Sequence, residues 1–113
     1  METEPIDQMI QYAIAALFEG EGGWRTVPHQ MVQRWPDVEG LELCFALVAA
    51  ANAIEENFNM DSPASLRVIQ AYRLAALISA DLYGMVATGK FGSKAGDLLK
   101  YWQEYDPYFL VQS

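Results

Sequence analysis

Apolar residues recur at intervals of three and four along almost the whole chain, the spacing of helices with one buried side. No segment of useful length alternates apolar and polar residues with β-branched enrichment, so strands are not expected. Helices are predicted over 5–19, 27–35, 38–57, 62–88 and 94–105. The pattern predicts an all-α fold: one domain, 1–113, built as a helical bundle of four main helices plus one short helix.

The predicted helix 62–88 is apolar nearly all round, with too few polar residues to form a solvent face. A helix of that kind has to be surrounded by protein. Its length, roughly 40 Å at 1.5 Å per residue, is large for so small a domain. We therefore expect either a bend near Gly84 or an end that projects into a partner subunit, and we expect a homodimer or a higher assembly.

The predicted third helix adds to this expectation, because its apolar stripe is wide and includes Leu41, Cys44 and Phe45. The opposite face is rich in alanine, including Ala46 and Ala49. Small residues of this kind form either a solvent face or a surface that lets another helix approach closely. Periodicity alone does not separate the two.

The net charge of −8 is unevenly spread, since residues 1–61 carry −9 and residues 62–113 carry +1. An acidic chain repels nucleic acid and anionic membranes, and its asymmetry suits antiparallel self-association or a basic protein partner. The third helix presents leucine, alanine and glutamate where a DNA-reading helix presents polar and basic residues. No nucleic-acid partner and no membrane partner are expected, and no apolar run reaches the length of a membrane span.

The chain contains few residues of the types that act in catalysis or bind metals. The chain has one histidine, His29, and one cysteine, Cys44, which lies in an apolar stretch where an inert thiol is expected. No zinc spacing and no Glu-x-x-His pair is present, so we expect no metal, no cofactor and no catalytic residue. The single cysteine and the acidic N-terminus favour a cytoplasmic location.

Two charges on the apolar fourth helix, Arg73 and Asp81, each need a partner. They lie about 12 Å apart along the helix and cannot pair with each other. Each is expected either to form a structural ion pair with another element or to help line a pocket with Tyr72, Tyr83 and a tryptophan.

The C-terminal segment is rich in aromatic residues. Trp102 and Tyr105 share a helical face that the core is expected to bury, whereas Tyr101, Tyr108 and Phe109 are predicted to contact a partner. The tail after Pro107 is too apolar to remain solvated, so we expect it to be ordered by packing.

The turn between the fourth and fifth helices combines Lys90, Gly92, Ser93 and Lys94. Glycine exposes backbone N–H groups, a helix start favours an anion, and the lysines add positive charge. These residues are either a weak anion site or a simple turn with solubilising lysines.

Taken together, the residues favour a non-catalytic interaction or regulatory protein that acts as a homodimer. A helical bundle that binds a small molecule or an anion is the alternative. An enzyme is the least favoured class, because no constellation of histidine and nucleophile is present.

Overall fold

The computed structural model describes residues 5–19 and 24–110. Within this part of the chain there are five α-helices and no strand. The helices are α1 (Pro5–Glu19), α2 (Val27–Arg34), α3 (Gly40–Asn57), α4 (Ala64–Thr88) and α5 (Ala95–Glu104). Short 3-10 turns precede α2, at Trp24–Thr26, and follow α5, at Pro107–Leu110. The predicted all-α bundle with a long helix near residues 62–88 is confirmed.

The centre of the bundle is the antiparallel pair of α3 and α4. Tyr72, near the start of α4, bonds Asn52 near the end of α3, and Leu41 at the start of α3 lies beside Val86 at the end of α4. Helix α1 packs mainly against α3, and α5 packs across the second half of α4. The largest fully buried side chains come from every helix: Met9, Leu17, Met31, Leu43, Leu47, Ile54, Leu74, Ile78, Met85, Leu98 and Trp102.

The starts of α3 and α5 are held side by side by backbone hydrogen bonds. The N–H of Gly40 donates to the Ser93 carbonyl at 2.7 Å, and the N–H of Ala95 donates to the Val38 carbonyl at 2.7 Å. The absence of a side chain at Gly40 allows this close crossing, because a Cβ there would lie 2.4 Å from Leu82 Cδ2 and 3.2 Å from the Ser93 carbonyl oxygen. The pairing fixes one end of the α3–α4 pair to the turn after α4.

Helix α4 continues through Gly84 without interruption. The glycine serves a close contact instead, since a Cβ at this position would lie 2.4 Å from the hydroxyl oxygen of Tyr101 on α5. Gly89, with φ of +69°, then ends α4 in the left-handed conformation that glycine adopts most easily.

Residues Pro107–Leu110 pack on the bundle, as predicted for the start of the tail; residues 111–113 lie outside the described part. Phe109 is buried, with its ring centre 5.0 Å from that of Trp102. The Arg25 guanidinium donates a 3.0 Å hydrogen bond to the Tyr108 carbonyl. The same guanidinium lies 4.0 Å from the centre of the Tyr108 ring. Phe109 is therefore a core residue of its own chain, which corrects its prediction as a partner contact.

Within residues 5–19 and 24–110, the other elements do not enclose helix α4. Its buried side carries Val68, Leu74 and Ile78, whereas Ile69, Tyr83 and Val86 are exposed. Leu41 and Phe45, expected in the buried stripe of α3, are also exposed, and Tyr105 is half-exposed rather than buried. The four other α-helices and the two 3-10 turns leave one face of this 25-residue helix open.

Candidate interaction surface

The open side of α3 and α4 forms one continuous surface. On α4, residues 72, 76, 79, 83 and 86 alternate in spacings of four and three and therefore lie along one stripe. On α3, Leu41 and Phe45 have the same spacing. We name the whole set the α3–α4 face: Leu41, Phe45, Tyr72, Ala76, Ser79, Tyr83 and Val86.

The large side chains of the α3–α4 face are among the most exposed apolar groups of the molecule. Their exposed fractions are 75% for Tyr83, 75% for Val86, 69% for Leu41 and 59% for Phe45. Single exposed apolar residues are ordinary, but a contiguous group marks a contact surface in a folded protein.

The face is also free of charge over a considerable length. Between Glu42 and Glu55, α3 has no charged residue, a rise of about 18 Å. Between Arg73 and Lys90 the only charged residue of α4 is Asp81, and it is buried on the opposite side. The α3–α4 face is thus uncharged in a chain whose net charge is −8.

At one end of the face, α3, α4 and the turn after α4 enclose a groove of about 550 Å³. Its walls are mainly apolar, with two carboxylates and two serines at its edge. The lining residues are Glu39, Leu41, Glu42, Ser79, Leu82, Tyr83, Val86, Gly92 and Ser93. A groove of this size accepts either a small molecule or large side chains of another protein.

Tyr72 borders the other end of the face. Its hydroxyl donates to Glu55 at 2.6 Å and lies 2.9 Å from the side-chain oxygen of Asn52. The hydrogen bond to the Glu55 carboxylate raises the pKa of Tyr72. These contacts tie the Tyr72 hydroxyl to α3 at the edge of the face.

Asp81 lies on the opposite side of α4 from Tyr72 and Tyr83. Its carboxylate accepts a 2.9 Å hydrogen bond from the indole N–H of Trp102, so its partner comes from α5. Burial raises the pKa of Asp81 to about 6, and the nearby Asp106 carboxylate acts in the same direction. Arg73 is exposed, which corrects the expectation that its charge is buried. The four residues proposed for a common pocket do not converge.

The residues of the predicted anion site already have carboxylate partners within the chain. Glu39 accepts a 2.6 Å hydrogen bond from the Ser93 hydroxyl and lies 3.2 Å from the Lys94 ammonium. The Lys94 N–H donates to Asp97 at 3.1 Å, and Gly92 lies against the same Asp97 carboxylate. Lys90, which contacts the Tyr105 hydroxyl, is the exception. An added anion would have to displace Glu39, so anion binding here stays a prediction.

Tyr101 and Tyr108, the other predicted partner contacts, are half-buried within their own chain. Tyr101 packs on Gly84, Phe91 and Tyr105, and burial raises its pKa. Tyr108 lies under Arg25. Their remaining exposed edges lie around α5 and the tail, apart from the α3–α4 face.

Cys44 is half-buried, and its thiol donates to the Ala75 carbonyl at 3.6 Å. Burial raises the pKa of this thiol to about 11, as expected for an unreactive cysteine. His29 is half-buried on α2. In the described ranges, His, Cys, Asp and Glu side chains form no group of three that could hold a metal ion. None of the described helices is both long and apolar enough to cross a membrane.

The sequence pattern assigned Leu41 and Phe45 to the buried stripe of α3 and so missed the part of the α3–α4 face that α3 contributes. The absence of charge from residues 43–54 was the signal that the face is apolar. Which apolar side of α3 meets its own chain depends on where α1 and α4 pack, and periodicity does not contain that information.

Comparison of the chain with protein-family models, with curated proteins and with solved structures found no match. The comparisons therefore assign neither a family nor an activity to this chain.

Proposed function

We propose that this chain is a non-catalytic interaction protein that assembles as a homodimer through the α3–α4 face. One observation carries the proposal: the α3–α4 face exposes large apolar side chains and has no charged residue, although the chain as a whole is acidic. Burial of apolar surface stabilises association by about 25 cal/mol per Å² before the costs of ordering are subtracted.

The test compares two phenylalanines that are about equally exposed. Phe45 lies on the α3–α4 face, whereas Phe58 lies beside Phe18 of α1. Light scattering at micromolar concentration should give about twice the 12.7 kDa of one chain for the native protein and for Phe58→Glu. Phe45→Glu should be monomeric with unchanged helix content by circular dichroism. A monomeric native protein, or equal loss of assembly in both variants, contradicts the proposal.

The groove supports a second candidate function, the binding of a small apolar molecule. Its volume lies within the range of about 300–1,000 Å³ that is usual for ligand sites. Nile red, a neutral apolar dye, should bind the native protein and gain fluorescence there. Leu82→Trp fills the groove and should abolish that gain, while Leu66→Trp, elsewhere on α4, should leave it unchanged. Equal dye binding by both variants contradicts the candidate.

A further inference from the structure

The α3–α4 face is uneven along its length. Three of its large groups, Leu41, Tyr83 and Val86, line the groove at the end of α4, and Phe45 is exposed one turn along α3 from Leu41. The middle of α4 exposes only small side chains, those of Ala76, Ser79 and Ala80. The surface therefore has a raised end and a shallow middle, and a partner has to match both.

A second copy of this chain is the occupant that matches the charge of the face. The chain carries −8 overall, yet this face carries none over about 24 Å of α4. A basic partner would find carboxylates only at the two ends of the face, Glu39 and Glu42 in the groove and Glu55 beside Tyr72. An identical copy buries no charge along the middle of α4. Two copies that share one patch are related by a two-fold axis, the commonest symmetry of homo-oligomers.

Resting on the homodimer proposed above, we propose that the two α4 helices pack antiparallel about a two-fold axis at Ser79. With the axis at this residue, Tyr83 of one copy falls beside Ala76 of the other, a large group on a small one. Val86, seven residues after the axis, meets Tyr72, seven residues before it. Tyr72 of the second copy thereby covers the mouth of the groove beside Val86.

Other registers match the face less well. A parallel arrangement places Tyr83 on Tyr83 and Val86 on Val86, and leaves the small middle unfilled, which forfeits packing contacts. An axis displaced toward Val86 moves the helix ends out of contact and stacks the large groups. With the axis at Ser79, residues 70–88 of the two α4 helices lie alongside each other, which is most of Ala64–Thr88.

Close approach is available at the axis. The Ser79 hydroxyl donates to the Ala76 carbonyl at 2.8 Å and so presents no unpaired polar group. Helices that meet through alanine and serine approach to about 8 Å, which brings the two Ser79 positions within the Cα separation of a disulfide, about 4.4–6.8 Å.

Single cysteines in a Cys44→Ala background test the register. Ser65 is the matched control, because it lies on the same stripe of α4, fourteen residues before Ser79. Like the Ser79 hydroxyl, the Ser65 hydroxyl donates to a backbone carbonyl, that of Ser62. Its two copies would lie about 42 Å apart along the helix. Mild oxidation should convert most of Ser79→Cys to a disulfide-linked dimer on a non-reducing gel and leave Ser65→Cys unlinked.

A size exchange tests the contact between Tyr83 and Ala76. Within one copy these residues are two turns apart, so any coupling between them arises across the axis. Ala76→Tyr should raise the dimer dissociation constant, and the double variant with Tyr83→Ala should restore it toward the native value. A dimer by light scattering with no Ser79→Cys linkage and no restoration overturns this register but leaves the homodimer standing. A monomer under all conditions overturns both.

Discussion

The indole N–H of Trp102 donates a 2.9 Å hydrogen bond to the Asp81 carboxylate at the contact between α5 and α4. Asp81 is the single buried acid among the described residues, and its pKa is raised to about 6, chiefly by burial. The bond from Trp102 opposes that rise, whereas Asp106 adds to it. A carboxyl group is thus held where its ionised form is poorly solvated.

Asp81→Asn should therefore stabilise the chain at neutral pH. The folded-state pKa lies above the ordinary value of 3.8, so the folded chain binds this proton more tightly than the unfolded chain. The stability from protonated Asp81 is complete below about pH 4 and is lost as the pH rises through about 6. The asparagine oxygen still accepts from Trp102 but carries no charge.

Urea unfolding at pH 7.5 and pH 4 measures this effect. The gain in unfolding free energy for Asp81→Asn should be on the order of 1 kcal/mol at pH 7.5 and should shrink toward zero at pH 4. Asp61→Asn, at an exposed position, should show no such pH dependence. An equal gain at both pH values would rule out ionisation as the cause.

Phe109→Ala should destabilise the chain by about 3–5 kcal/mol, because it empties a buried site against Trp102. The same substitution at the half-exposed Phe58 should cost about 1 kcal/mol or less. Thermal or urea unfolding provides both values. Equal costs would mean that the Pro107–Leu110 segment does not pack on the core in solution.

Gly84→Ala should destabilise the chain by about 1–2 kcal/mol, since the added methyl group meets the Tyr101 hydroxyl. Alanine is favoured over glycine within a helix by roughly 1 kcal/mol, so the sign depends on that contact. In a Tyr101→Phe background the hydroxyl is absent, and Gly84→Ala should become neutral or stabilising. If Gly84→Ala lowers the unfolding free energy equally in both backgrounds, the steric conflict is not with the Tyr101 hydroxyl.

Anion binding at the turn after α4 should be limited by Glu39, whose carboxylate holds Ser93 and Lys94 and whose own pKa is lowered by those contacts. Glu39→Gln removes the competing charge. Phosphate titration followed by backbone amide shifts should move Gly92–Lys94 more in Glu39→Gln than in the native protein. Glu56→Gln, away from the turn, should behave as the native protein does, and matching titrations in all three would exclude the site.

Local sequence signals account for much of the fold. Pro63 and Gly89 bound α4, and the three- and four-residue spacing of apolar positions predicts five helices close to where they occur. The helix starts differ by one or two residues: α4 begins at Ala64 and α5 at Ala95, since Ser62 and Ser93 lie in the turns that precede them. Capping depends on side-chain partners such as Asp97, which several positions of a turn can recruit.

The buried aromatic contacts of α5 were only partly accessible to the same reasoning. Periodicity correctly assigned Trp102 to the core but grouped Tyr105 with it and left Phe109 outside. The chain turns back after α5, and that reversal carries Phe109 onto Trp102. Helical periodicity describes the faces of a single helix, so it does not predict a contact that forms after the chain reverses direction.

The sequence by itself determined that the chain is helical, that its fourth helix is too apolar to be a simple surface helix, and that α3 and α4 each contain a long uncharged stretch. Those properties follow from local composition and spacing. Tertiary structure decided which apolar side of each helix is covered: Leu43 and Ile78 meet their own chain, while Phe45 and Tyr83 remain exposed. The reason is physical: hydrophobic burial has no direction of its own, so the choice of face depends on how neighbouring helices approach.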